Sequence, residues 1–278
     1  MTDQEIQNEP SQRRHRVNVL GHVLEVLEVR HDSKRVSAPT LVFLHEGLGC
    51  IELWRDIPIQ LARATGCDAL IYDRLGYGHS DPLSSSRHPR DYLEEQAWRH
   101  LPALLDRLDE RAVIPVGHSD GATIALLFAA RCQERTVAAV TEAAHVFVED
   151  VTLGGVRAAV AAYERGDLRK KLMTYHGAKT DQVFHAWANT WLAPEFRDWN
   201  IEDCLGHIRS PLLVLQGADD AYGSAAQVEA IRRQAGGPVR AELIEGCGHT
   251  PHLEARAQVT RLIANFVDEC LRNGSQPP

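Results

Sequence analysis

The sequence predicts an α/β fold: a mostly parallel, doubly wound sheet carrying one inserted helical segment. Three observations predict it. Short continuous apolar runs recur at 41–44, 69–72, 113–116, 137–140, 212–215 and 241–244, as expected of strands in a parallel sheet covered on both faces. Helical patterns alternate with them at about 53–64, 90–108, 120–132, 225–235 and 255–271. The alternation breaks once, where about 148–208 has helical periodicity and no strand signal.

In order along the chain, 1–16 is polar and of mixed charge and reads as a tail, as does 273–278. Residues 17–19 and 24–29 alternate around Gly21-His22, which predicts an N-terminal hairpin. The core is expected over 17–147 and 209–272. Pro102 lies inside the pattern at 90–108 and should kink the helix or restart it. The insertion at 148–208 concentrates aromatics (Tyr163, Tyr175, Phe184, Trp187, Trp191, Trp199), so a helical cap over the sheet edge is expected.

Composition narrows the function classes. An apolar fraction of 44% supports a sizeable core, and a formal charge of −8 argues against nucleic acid or an anionic membrane as partner. No apolar run has the length of a membrane span, and the first residues do not resemble a signal peptide. Six scattered cysteines without C-x-x-C or metal-ligand spacing read as reduced thiols of a cytoplasmic protein that needs no metal. Nothing in the sequence specifies an oligomeric state.

The chemistry centres on Gly117-His118-Ser119-Asp120-Gly121, between a strand and a small-residue helix. Turning from strand to helix without a loop forces Ser119 into a cramped conformation and requires glycines at 117 and 121. The turn lifts the Ser119 hydroxyl clear of the sheet. The Asp120 N–H and the positive end of the helix face the same space.

A hydroxyl needs a base, and a histidine base needs a carboxylate to orient it. Asp219 and Asp220 follow the strand at 212–215, and the G-x-x-D spacing from Gly217 selects Asp220. His249 follows Gly248 beyond the strand at 241–244. Its rival, His252, falls at the start of a helix behind Pro251. The second oxyanion donor is sought in His45-Glu46-Gly47-Leu48-Gly49, where the Gly47 N–H can act with that of Asp120; one such donor contributes about 3 kcal/mol. Asp73-Arg74-Leu75-Gly76-Tyr77-Gly78-His79-Ser80-Asp81 is expected to be structural, with Asp73 and Arg74 pinning neighbouring loops.

With these pieces the chain resembles a cap-bearing serine hydrolase of the α/β-hydrolase superfamily over about residues 17–271. The resemblance implies an α/β-hydrolase fold, a Ser119–His249–Asp220 triad, a covalent acyl-enzyme and no cofactor. One departure is evident: Glu46 stands where such proteins carry the glycine of a His-Gly pair. A carboxylate beside the oxyanion opposes negative charge unless it points away or is paired.

The expected activity is hydrolysis of a small carboxylic ester, thioester or amide. The alternatives are carbon–carbon bond hydrolysis or lyase cleavage on the same triad, and a ligand-binding protein with negligible turnover. His145, Trp187 and Trp191 are candidate substrate contacts, although aromatics at helical spacing more often pack as core. Arg169, Lys170 and Lys171 read as a solvated helix face.

Overall fold

The structure, a computed structural model, describes residues 10–31 and 38–273. Eight strands form one sheet in the order β1-β2-β4-β3-β5-β6-β7-β8. They are β1 (Ser11–Val19), β2 (His22–Arg30), β3 (Thr40–Leu44), β4 (Ala69–Tyr72), β5 (Val113–His118), β6 (Ala139–Glu142), β7 (Leu212–Gly217) and β8 (Val239–Ile244). The β1–β2 and β2–β4 pairings are antiparallel, and every pairing from β4 to β8 is parallel.

The pleat splits the core into two layers. Val42 and Leu44 of β3, with Leu212 and Val214 of β7, join one apolar cluster; Leu41, Phe43, Leu213 and Leu215 join the other. This two-sided burial is why the central strands read as unbroken apolar runs. Helix α1 (Ile57–Thr65) and the long C-terminal helix (Arg256–Asn273) pack on one face. On the other face lie α2 (Tyr92–Glu95), α3 (Leu101–Arg107) and α4 (Asp120–Arg131).

Pro102 sits in the first turn of α3, directly after a π-helical turn at Gln96–His100. A residue without an N–H cannot continue the preceding ladder, so the helix restarts there.

Between β6 and β7 the chain leaves the sheet for α5 (Asp150–Arg165), α6 (Leu168–His176), α7 (Thr180–Trp191) and α8 (Glu202–Leu205). Most aromatics of this insertion pack on one another. Tyr163 stacks on Phe184 with centroids 3.7 Å apart, and Phe196 stacks on Trp199 at 5.3 Å. Arg169 and Lys171 are exposed and pair with Asp181 and Asp167.

Two sequence expectations need correcting. Residues 11–16 belong to β1, not to a tail: His15 bonds Glu28 across the hairpin at 2.8 Å, and Arg16 bonds Glu25 at 3.2 Å. Charged cross-strand pairs on an exposed edge carry no apolar alternation, so the strand was hidden. The strand expected at 137–140 runs two residues later, because its ladder with β5 and β7 uses Val140, Thr141 and Glu142. The tail assignments at 1–9 and 274–278 lie outside the described residues. Among the described residues no helix is long and apolar enough to cross a membrane.

Candidate active site

The six parallel strands end along one rim, and Ser119, Asp220 and His249 lie on the turns that follow three of them, as in open α/β sheets generally. Ser119 joins β5 to α4 with φ 53° and ψ −117°. A non-glycine residue there stores about 1–3 kcal/mol of strain. A Cβ on Gly117 would meet the Gly121 carbonyl, and one on Gly121 would meet the Leu44 carbonyl, so both neighbours must be glycine. The Ser119 N–H donates to the Glu142 carbonyl at 2.8 Å, tying the turn to β6.

The histidine and the acid converge on that serine. His249 Nε2 is 3.0 Å from Ser119 Oγ, and its Nδ1 is 2.8 Å from both carboxylate oxygens of Asp220. Asp220 also accepts the Tyr222 N–H at 2.7 Å and the Gln216 side-chain amide at 2.6 Å. Burial works to raise the Asp220 pKa, but the bond from His249 prevails and the carboxyl lies below its ordinary value. Burial pushes His249 down to about 4 despite the carboxylate, so the imidazole is neutral at pH 7 and ready to accept a proton. Asp219 is exposed, and its N–H donates to the Cys247 carbonyl. His252 turns the other way and bonds Glu142 at 3.0 Å.

Gly47 and Asp120 both line the cavity in front of Ser119, which measures about 220 Å³. Gly47 packs directly beneath the Trp187 indole, whose Nε1 would lie 2.5 Å from a Cβ at that position. His145, Trp187 and Trp191 line the same cavity with Leu48, Val156 and Tyr222. His145 is held by Thr123, whose hydroxyl donates to its carbonyl at 2.7 Å, and its Nε2 is 3.1 Å from the Tyr222 carbonyl. Trp191 is less free for a ligand, since its indole N–H donates to the Tyr92 hydroxyl at 3.0 Å.

The two carboxylate residues lining the cavity, Glu46 and Asp120, are both engaged. Glu46 reaches His118 Nδ1 at 3.5 Å, an ionic contact instead of a short hydrogen bond. Burial opposes ionisation, but the His118 imidazole overrides it and holds Glu46 at about 2; the carboxylate in turn raises His118. Asp120 accepts the Tyr92 hydroxyl at 2.9 Å and faces Arg74 at 3.6 Å. Burial raises its pKa while Arg74 pulls it down.

Several contributors escaped the sequence reading. Gln216 and Tyr222 seat the acid, His118 Nε2 donates to the His249 carbonyl at 2.7 Å, and Tyr92 reaches Asp120 from a remote helix. Only His118 carried a signal, by adjoining Ser119. Among the described residues no group of three or more His, Cys, Asp or Glu is disposed to hold a metal ion.

Residues 41–262 match the model of a family described as the alpha/beta hydrolase family. The chain belongs to that family. This alpha/beta hydrolase is an enzyme of the hydrolase class. It is 22% identical over 277 residues to a proline iminopeptidase of Lactobacillus helveticus, covering 85% of this chain and 92% of that one. It is 25% identical over 274 residues to the 2-hydroxy-6-oxononadienedioate/2-hydroxy-6-oxononatrienedioate hydrolase of Paraburkholderia xenovorans, covering 87% and 91%. Among solved structures it resembles the 2-hydroxy-6-oxo-6-phenylhexa-2,4-dienoate hydrolase of a Rhodococcus strain, with TM-score 0.74 and 15% identity over 95% of this chain and 99% of that one. At that identity the likeness concerns the fold.

Proposed function

We propose that Ser119, His249 and Asp220 are nucleophile, general base and orienting acid, and that the protein hydrolyses a small, uncharged ester, thioester or amide through an acyl-enzyme. The observation that carries this is the unbroken line from Asp220 through both nitrogens of His249 to Ser119 Oγ, at 2.8 Å and 3.0 Å. His249 takes the Ser119 proton as the hydroxyl attacks the carbonyl. The N–H groups of Gly47 and Asp120 hold the oxyanion, and the protonated imidazole then passes its proton to the leaving group. Water, activated by the same histidine, releases the acid. The helical insertion acts as a cap whose Trp187 and Trp191 shape the acyl site, and we assign the protein to the cytoplasm.

The preference for an uncharged acyl group rests on the lining. Glu46 and Asp120 line the cavity with their carboxylates paired to His118 and Arg74, and no Lys or Arg is among its lining residues. The Paraburkholderia relative is named for dioic acids, which carry two negative charges. No Lys or Arg faces the cavity to bind those charges, since Arg74 lies outside the lining and pairs with Asp120 while His118 pairs with Glu46, so carbon–carbon hydrolysis ranks second. Steady-state rates on 4-nitrophenyl acetate and butyrate, the matching thioesters and anilides, and a vinylogous diketone acid test the order. Turnover of acyl esters with none of the diketone acid is expected; the reverse pattern would overturn it.

A further inference from the structure

Arg74 is 1% exposed and lies behind the oxyanion position, outside the cavity lining. Its Nη2 donates to the Glu46 carbonyl at 2.8 Å and lies 3.6 Å from Asp120 Oδ2, while the guanidinium rests 4.7 Å from the centre of the Tyr77 ring. Its backbone N–H donates to His45 Nε2 at 3.1 Å. That bond leaves the His45 proton on Nδ1, where it donates to the same Glu46 carbonyl at 2.8 Å. Burial and the neighbouring guanidinium push His45 well below its ordinary pKa, in keeping with this neutral form. The Gly49 N–H is a third donor, at 3.0 Å.

Three donors on one carbonyl fix the plane of the Glu46–Gly47 peptide. The Glu46–Gly47 peptide is trans, so the Gly47 N–H points the opposite way from the carbonyl that they hold. The second oxyanion N–H belongs to Asp120, whose carboxylate faces Arg74 and accepts from Tyr92. A single guanidinium therefore touches both halves of the oxyanion site from behind: the peptide that carries one donor, and the side chain of the residue that carries the other. A buried arginine is expensive to desolvate, and an apolar residue of similar bulk commonly fills such a space at no loss of stability. A charge retained here calls for a role other than packing.

We infer that Arg74 is a positioning residue which, by bridging the Glu46 carbonyl and the Asp120 carboxylate, fixes the spacing and direction of the Gly47 and Asp120 N–H donors. The inference rests on the acyl-transfer role proposed for Ser119. The guanidinium also polarises the Glu46 carbonyl, which strengthens the Gly47 N–H as a donor. Its benefit falls on the transition state, because the oxyanion exists only there and in the tetrahedral intermediates flanking it.

The test compares wild type with Arg74→Met, Arg74→Lys, Asp120→Asn and the Arg74→Met/Asp120→Asn double variant. A fluorophosphonate first establishes whether wild-type Ser119 is reactive. Each protein is then assayed on 4-nitrophenyl butyrate and titrated with butylboronic acid, whose tetrahedral serine adduct mimics the intermediate. Arg74→Met is expected to lower kcat on the order of 10²-fold, the scale of losing one oxyanion donor. Its KM should stay within about threefold, and boronate affinity should fall in parallel with kcat. Arg74→Lys restores part of both. The double variant should be no worse than Arg74→Met, since the two side chains act as one unit.

A folded Arg74→Met protein with wild-type kcat and boronate affinity overturns the inference. Should Arg74→Met fail to fold, wild-type values in both Arg74→Lys and Asp120→Asn overturn it equally. Wild-type Ser119 inert to the fluorophosphonate overturns the proposed function and this inference together. A reactive wild type with unaffected variants overturns the inference alone.

Discussion

Two carboxylate–imidazole pairs stand side by side at the rim of this sheet. In one, Asp220 meets His249 at 2.8 Å; in the other, Glu142 meets His252 at 3.0 Å. Both histidines follow β8 and both acid side chains are fully buried, so pairing chemistry alone does not distinguish them. Their surroundings do. The His249 side chain is 18% exposed, borders the cavity and faces Ser119 Oγ. The His252 side chain is 3% exposed and lies against the Trp54 ring at 4.6 Å and the His118 ring at 5.0 Å. An imidazole becomes a base through what its second nitrogen faces. The same pair turned inward is a strut: Glu142 accepts both the ring N–H and the backbone N–H of His252.

The sharpest way to break this contrast is to remove each imidazole. His249→Ala should cut kcat on the order of 10⁵-fold or more, by comparison with serine-hydrolase triads, with little change in Tm. Asp220→Asn comes next, on the order of 10⁴-fold, because the amide no longer stabilises the imidazolium or fixes its tautomer. His252→Ala should reverse the pattern. Losing one partner of a buried pair costs about 3 kcal/mol, on the order of 6 °C in Tm, while kcat per folded molecule stays within about tenfold. If kcat collapses in His252→Ala while Tm holds, the two pairs are not divided as described.

The pH profile sharpens the same contrast. In its proposed role His249 accepts a proton only when neutral, and burial lowers its pKa to about 4. The rate constant kcat/KM should therefore be full above that value and fall as the pH drops through it; an acid limb near 6.5 would show an imidazole not shielded by burial. The smallest effect belongs to the helical insertion. Trp187→Phe keeps the ring against Gly47 but removes the indole N–H and part of the wall, so a change in KM of about three- to tenfold with near-normal kcat is expected from steady-state kinetics.

The elements with repeating signals were legible in the sequence. Central strands such as β3 and β7 pack on both faces and announce themselves as apolar runs. The elbow at Ser119 is readable because its glycines are demanded by contacts with the Leu44 and Gly121 carbonyls. The order of serine, acid and histidine could be read because each follows its own strand. What escaped depends on distant residues. Arg74 lies 46 positions from Asp120 in sequence and Tyr92 lies 28, yet both converge on one carboxylate, and no local pattern records that. The first residues of β1 escaped because their neighbours are charges across a hairpin. His118 was seen without its role, since its bonds run to the base loop and to Glu46 on another loop.

The activation of Ser119 by His249 is tested most directly with a fluorophosphonate on the intact protein, followed by peptide mapping. One equivalent bound at Ser119, abolished in His249→Ala and retained in folded His252→Ala, is the expected result. Labelling elsewhere, or labelling of Ser119 that persists at the wild-type rate without His249, would contradict it.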